Sequence, residues 1–155
     1  MLKIGDKAPS FSLPRDNGET ITLAKLKGHP VVVYFYPRDD TPGCTTEAKD
    51  FSCLIDRFEA LGARVVGISP DGALSHTNFK SKHELTVDLA ADEDHAVATA
   101  YGVWVEKSMY GKKYMGVERA TFLIDEGGRI ASLWHKVKVP GHAEEVLGAL
   151  EALAR

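Results

Sequence analysis

Cysteine is scarce in this chain: only Cys44 and Cys53 occur among 155 residues. Their spacing makes neither a C-x-x-C redox pair nor a zinc clasp, and none of the six histidines pairs with another or with a thiol. No metal site or cofactor is expected. Also missing is an excess of basic charge. A formal net charge of −3, with its lysines broken up by apolar residues, argues against nucleic acid. Long apolar runs are absent too. The longest, "PVVVYFYP", is far too short to cross a bilayer. The start, "MLKIGDKAPSF", has no signal-peptide core, so a cytoplasmic location is expected, where two cysteines read as thiols rather than a structural disulfide. Neither a glycine-rich phosphate loop nor a nucleophilic serine motif appears.

What remains is an ordinary globular composition, 44% hydrophobic and 26% charged, without linker or repeat. A single domain over 1–155 is expected. "FSLPRDNGETITL" predicts two short strands joined at Asp16-Asn17-Gly18, an N-terminal β-hairpin. "VVVYFY" (31–36) predicts a central strand buried on both faces. "ARVVGIS" (63–69) and "TVDLAA" (86–91) predict further strands. "ATFLID" and "RIASLWH", either side of Glu126-Gly127-Gly128, predict an antiparallel hairpin. Ala48, Phe51, Ile55, Phe58 and Leu61 recur at helical spacing as one stripe. Further helices are predicted over 72–83, over 94–101 and in the C-terminal "GHAEEVLGALEALA". Alternating strands and helices imply an α/β fold with a central mixed β-sheet flanked by helices. Its shape resembles the thioredoxin-like fold.

Cys44 stands where strand gives way to helix, in "PRDDTPGCTT" (37–46). Thr41 suits the N-cap and Pro42 the first helical position. Cys44 then falls in the first turn, beside backbone N–H groups without helical partners. The partial positive charge there favours a thiolate. The bland reading is a small buried hydrophobe, since Cys44 continues the stripe through Ala48, Phe51 and Ile55. The polar, turn-forming surroundings favour a reactive thiol. A helix terminus contributes only about 0.3–1 kcal/mol to an anion, so a fixed cation must assist. Ionisation alone raises the thiolate fraction about tenfold to twentyfold, so donors that stabilise the transition state matter more.

Pro37, Thr41 and Cys44 together form P-x-x-x-T-x-x-C, and here the chain resembles the peroxiredoxins. "YPRDDTPGCTTEAKDF", "GDKAPSFSLP", "MYGKKYMGVERATFLID" and "KVKVPGHAEEVL" are similar, in the same order, to the bacterioferritin comigratory protein or peroxiredoxin Q group. The resemblance implies a thiol peroxidase acting on hydrogen peroxide and organic hydroperoxides. It implies that Cys44 attacks the peroxide and becomes a sulfenic acid, and that the Thr41 hydroxyl bonds the thiolate and the peroxide. It implies that Pro37 shields the sulfur from water and that Arg119 polarises the peroxide and supports the thiolate. Taken alone, Arg119 would read as a surface arginine. Glu47 reads either as orienting Arg119 or as an exposed helix acid.

The chain also departs from the pattern. Where relatives carry a resolving cysteine five residues on, Lys49 stands; the alternative site, on the next helix, holds Phe79, Lys80, Ser81 and Lys82. On an intact helix Cys53 lies about 13.5 Å along the axis from Cys44, whereas a disulfide needs Cα atoms within about 7 Å. Cys53 is therefore read first as a bystander, next as an intermolecular resolver, last as an intramolecular one. A one-cysteine route follows, with thioredoxin or a low-molecular-weight thiol as reductant and a monomer or weak dimer as the expected state. Thioredoxin-type exchange is the rival enzyme, but Glu47 replaces its second cysteine and Ala120 its cis-proline. A redox sensor on the same fold is the non-enzymatic rival.

Overall fold

A computed structural model describes residues 1–154. Strands β1 (Ser12–Pro14) and β2 (Thr20–Thr22) form the expected N-terminal hairpin, with Leu13 opposite Ile21. Its turn is closed by the Asn17 side chain, which accepts from the Glu19 N–H at 2.9 Å.

β3 (Val31–Phe35) is buried along its whole length. Period-two alternation sends Val31, Val33 and Phe35 into one core and Val32, Tyr34 and Tyr36 into a second on the opposite face. That is why the run reads as continuously apolar. β3 pairs in parallel with β4 (Arg64–Ser69) and antiparallel with β8 (Ala120–Ile124). With β5 (Asp88–Ala91) and β9 (Ile130–Trp134) the sheet order is β5-β4-β3-β8-β9.

Helices α1 (Pro42–Cys53), α2 (Ile55–Ala60), α3 (Ala73–His83), α4 (Ala96–Ala100) and α5 (His142–Leu153) complete the fold. The second core takes side chains from α1, α2, α3 and α5; the first takes them from the N-terminal hairpin and α4. The mixed sheet flanked by helices agrees with the α/β expectation.

Two features depart from the sequence reading. The single stripe expected through Leu61 is divided at Leu54 into α1 and α2. Thr86 explains the break: its hydroxyl donates to the Ser52 carbonyl and its N–H to Ser52 Oγ, taking up an acceptor that a continuous helix would use. The other is a hairpin of β6 (Trp104–Met109) and β7 (Lys112–Val117), not foreseen as strands. Its turn residues, Tyr110 and Gly111, both take positive φ (53° and 77°). A type I′ two-residue hairpin turn needs that conformation at both positions, but a tyrosine in the first place hides the usual Asn-Gly or Asp-Gly signal.

Candidate active site

The site is assembled where β3 ends and α1 begins. Pro37, half-buried, follows the strand; the chain then turns through Arg38, Asp39 and Asp40 before Thr41. Asp40 has φ +62°, an uncommon conformation for a residue with a side chain, and α3 holds it there. Lys82 Nζ and His83 Nε2 each lie 2.7 Å from its carboxylate, and their hydrogen bonds hold that carboxyl below its ordinary range. Asp39 is tied inward instead. It accepts from Tyr36 Oη at 2.6 Å and Ser75 Oγ at 2.8 Å, and lies 2.7 Å from His76 Nδ1. His76 is fully buried, and its Nε2 donates to the Ala90 carbonyl at 2.9 Å. Adjacent acids thus pin the loop to both halves of one helix.

Thr41 occupies the N-cap position, extended at φ −88° and ψ 154°, with Pro42 next. Its backbone carbonyl accepts the first helical hydrogen bond, from the Thr45 N–H at 2.8 Å. The side chain behaves otherwise than an N-cap: Oγ1 donates to the Arg38 carbonyl at 2.9 Å and makes no cap hydrogen bond. That donation commits the hydroxyl's one proton, so it is not aimed at the sulfur.

Cys44 is the third residue of α1, where its N–H and that of Gly43 are among those without intrahelical acceptors. Its residue exposure is 2%, and it packs on the second core with Tyr34, Ala48 and Phe51. Gly43, Thr45 and Arg119 around it are half-buried, so the thiol lies one layer below the surface. Arg119 reaches it from the start of β8, with one terminal nitrogen (Nη2) donating to Sγ at 3.3 Å. A Cβ at position 43 would lie 3.2 Å from that nitrogen, closer than carbon usually tolerates, so glycine leaves the guanidinium its room.

The other terminal nitrogen (Nη1) donates to Glu47 Oε1 at 2.7 Å. Glu47 is 1% exposed, which excludes the exposed-acid reading and leaves it as the group that orients Arg119. Burial pushes its carboxyl up from 4.5 to about 7, against the opposing charge of Arg119. Burial works against the guanidinium charge as well, but Glu47 and Cys44 outweigh it and hold Arg119 above its usual range. Among the described residues, Glu47 Oε2 and Tyr34 Oη are buried without hydrogen-bond partners. Desolvation first, then the charges of Glu47 and Cys44, raise the Tyr34 phenol well above its usual range. Gly67 makes room for that ring, since a Cβ there would lie 2.6 Å from Tyr34 Cζ.

Cys53 occupies the far end of α1, exposed, in a groove with Asp50, Leu54 and Glu144. The helix between the two cysteines is intact. Sequence reasoning named Cys44, Arg119, Thr41 and Pro37 but missed Asp39, Tyr36 and His76. The histidines were weighed only as metal ligands; the paired acids of "RDD" were the available sign of an anchored loop.

Residues 4–133 match the AhpC/TSA family. The chain belongs to that family. It is similar to Peroxiredoxin Bcp of Bacillus subtilis, 48% identical over 153 residues, covering 99% of this chain and 98% of that one. It superposes on the Xanthomonas campestris bacterioferritin comigratory protein with a TM-score of 0.92 at 42% identity, covering 100% and 99% of the two chains. That structure was described through trapped intermediate and ligand complexes bearing on alkyl peroxide reduction. A Xylella fastidiosa PrxQ mutant gives a TM-score of 0.95 at 40% identity, again covering 100% and 99%. This AhpC/TSA chain is a peroxiredoxin, and as an enzyme a thiol peroxidase.

Proposed function

We propose that the protein reduces hydrogen peroxide and organic hydroperoxides through a sulfenic acid on Cys44, and that an external thiol restores it. The single observation that carries this reading is the Arg119 guanidinium donating to Cys44 Sγ at 3.3 Å and to the buried Glu47 at 2.7 Å. A guanidinium keeps its charge at any working pH and presents donors in a fixed fork. One arm favours the anionic sulfur. The same charge then faces the oxygen on which negative charge grows as the O–O bond breaks.

In the first step, thiolate sulfur attacks the near peroxide oxygen. An S–O bond forms, the O–O bond breaks, and the departing oxygen takes a proton and leaves as water or alcohol. Arg119 and the free N–H groups of the first α1 turn stabilise that charge. Thr41 bonds the peroxide after its hydroxyl turns away from the Arg38 carbonyl, and Pro37 keeps bulk water from the sulfur. In the second step, an external thiol displaces water from the sulfenic acid to give a mixed disulfide. A further thiol then releases Cys44.

The one-cysteine route is supported by α1, whose turns are intact between Cys44 and Cys53. Thioredoxin or a low-molecular-weight thiol is the reductant. The test is intact-mass spectrometry after one equivalent of peroxide, with a sulfenic-acid trap. One added oxygen, trapped on Cys44, is expected. Loss of two hydrogens with a cross-link between residues 44 and 53 would overturn the one-cysteine route.

A further inference from the structure

The β6–β7 hairpin stands outside the central sheet; its strands pair only with each other. Among the described residues, eight large apolar side chains are exposed, and four sit here: Met109, Tyr110, Tyr114 and Met115. Tyr110, at the tip, is 98% exposed. The other four, Met1, Ile4, Leu74 and Leu153, are scattered along the chain. The register puts Met109 and Tyr114 on one face of the ribbon beside Lys107 and Lys112, with Tyr110 at the tip and Met115 on the other face. A methionine and two tyrosines along one face and the tip of a projecting element have the composition of a contact surface rather than of a solvated turn.

Charge sharpens the picture. The chain carries a net −3, yet residues 104–117 hold three lysines, Lys107, Lys112 and Lys113, against one acid, Glu106. The hairpin also runs directly into the site, since β7 is followed by Glu118 and Arg119. Lys107 makes the link from the other strand. Half-buried, it lays its stem over Gly116, where a Cβ would be 3.3 Å from its Cδ, and among the described residues it pairs with no carboxylate. Burial and then Arg119 lower its ammonium from the usual range, while Cys44 acts the other way, which places its charge in the field of the site.

We propose that this hairpin docks a protein dithiol reductant whose approaching face is apolar at its centre and acidic at its rim. The proposal rests on the thiol-peroxidase reading and names the partner of that site. Cys44 is 2% exposed, so a partner thiol needs residence beside the sulfur. The hairpin provides that residence, with Met109, Tyr110 and Tyr114 as anchors and the lysines as the steering charge. One partner thiol attacks the Cys44 sulfenic acid, forming an S–S bond and expelling water. The second partner thiol attacks that bond, leaving the dithiol oxidised to a disulfide and Cys44 reduced.

The test compares two reductants, bacterial thioredoxin recycled by its reductase and dithiothreitol, at saturating hydrogen peroxide. The variants are the pair Tyr110→Ser with Tyr114→Ser and, separately, the pair Lys112→Glu with Lys113→Glu. With thioredoxin, kcat/KM is expected to fall about tenfold or more in the apolar pair, and the charge pair is expected to reverse its dependence on salt, gaining rather than losing rate as salt rises. Dithiothreitol-driven turnover and single-turnover oxidation of Cys44 are expected to stay at parental rates. Parental rates with thioredoxin in both variants would overturn the proposal, as would a parent recycled by dithiothreitol but not by thioredoxin. So would a parent that sediments as a dimer while the variants sediment as monomers, since the patch would then belong to a second copy. Failure of the parent to turn over with dithiothreitol would sink the peroxidase reading instead. If the apolar pair fails to fold, the charge pair alone decides.

Discussion

The two ends of α1 carry the same functional group in opposite surroundings. At the N-terminal end, Cys44 is buried, meets Arg119, and lies beside free N–H groups bearing the positive end of the helix dipole. At the C-terminal end, Cys53 is exposed beside the carboxylates of Asp50 and Glu144, and the dipole is negative. Desolvation, with the added charge of Glu144, raises the Asp50 carboxyl, so that end resists further negative charge. Position along one helix, rather than the thiol itself, separates the proposed nucleophile from the proposed bystander.

The sharpest way to break that comparison is to remove each thiol in turn. Cys44→Ser is expected to abolish peroxide turnover, and Cys53→Ser to leave kcat/KM at the parental value. A coupled NADPH-oxidation assay checks both, and equal losses would erase the contrast. Next comes the cation that makes the N-terminal end special. Arg119→Met is expected to lower kcat/KM for peroxide by about 10²–10³, while Lys49→Met, on the same helix but exposed and away from Arg119, should change little.

The third prediction concerns how the N-terminal end is held. His76→Ala leaves Asp39 buried without its ring partner and is expected to cost about 3 kcal/mol or more in urea unfolding. Asp40→Asn, on the exposed side of the same loop, should leave the urea midpoint where it is. The fourth is a pH effect on stability. Because Glu47 binds its proton more tightly folded (about 7) than its ordinary value of 4.5, its contribution is complete below about 4.5 and is lost as pH rises through 7. Parental stability should fall by up to about 3 kcal/mol between pH 5 and pH 8, whereas Glu47→Gln should be nearly flat there. Denaturant midpoints at the two pH values decide it; a parental curve that rises would contradict the assignment of the proton.

Particular residues show how much could be read beforehand. The strand at 31–36 was legible because its β-branched run bears the same pattern whatever it pairs with. Cys44 was legible because proline, threonine and glycine mark a helix start locally. Glu47 was ambiguous, since an acid one turn into a helix looks the same whether it faces water or a guanidinium 72 residues away. The β6–β7 hairpin was missed because its turn lacks the usual residues and its strands are largely exposed, so no alternation of buried and polar positions announced them. The break at Leu54 was missed because its cause, Thr86, comes from the far side of β4 in the chain.

Composition, spacing and turn chemistry alone determined an α/β chain with one thiol at a helix entrance and a second nine residues on, beyond bonding reach on an intact helix. These are local properties, written in neighbouring residues. Only the tertiary structure decided that Arg119 meets that thiol, that Glu47 turns inward, and that α3 clamps the loop. Each of these depends on groups far apart in the chain, brought together by the packing of β3 against β8 and of α1 and α3 over one face of the sheet.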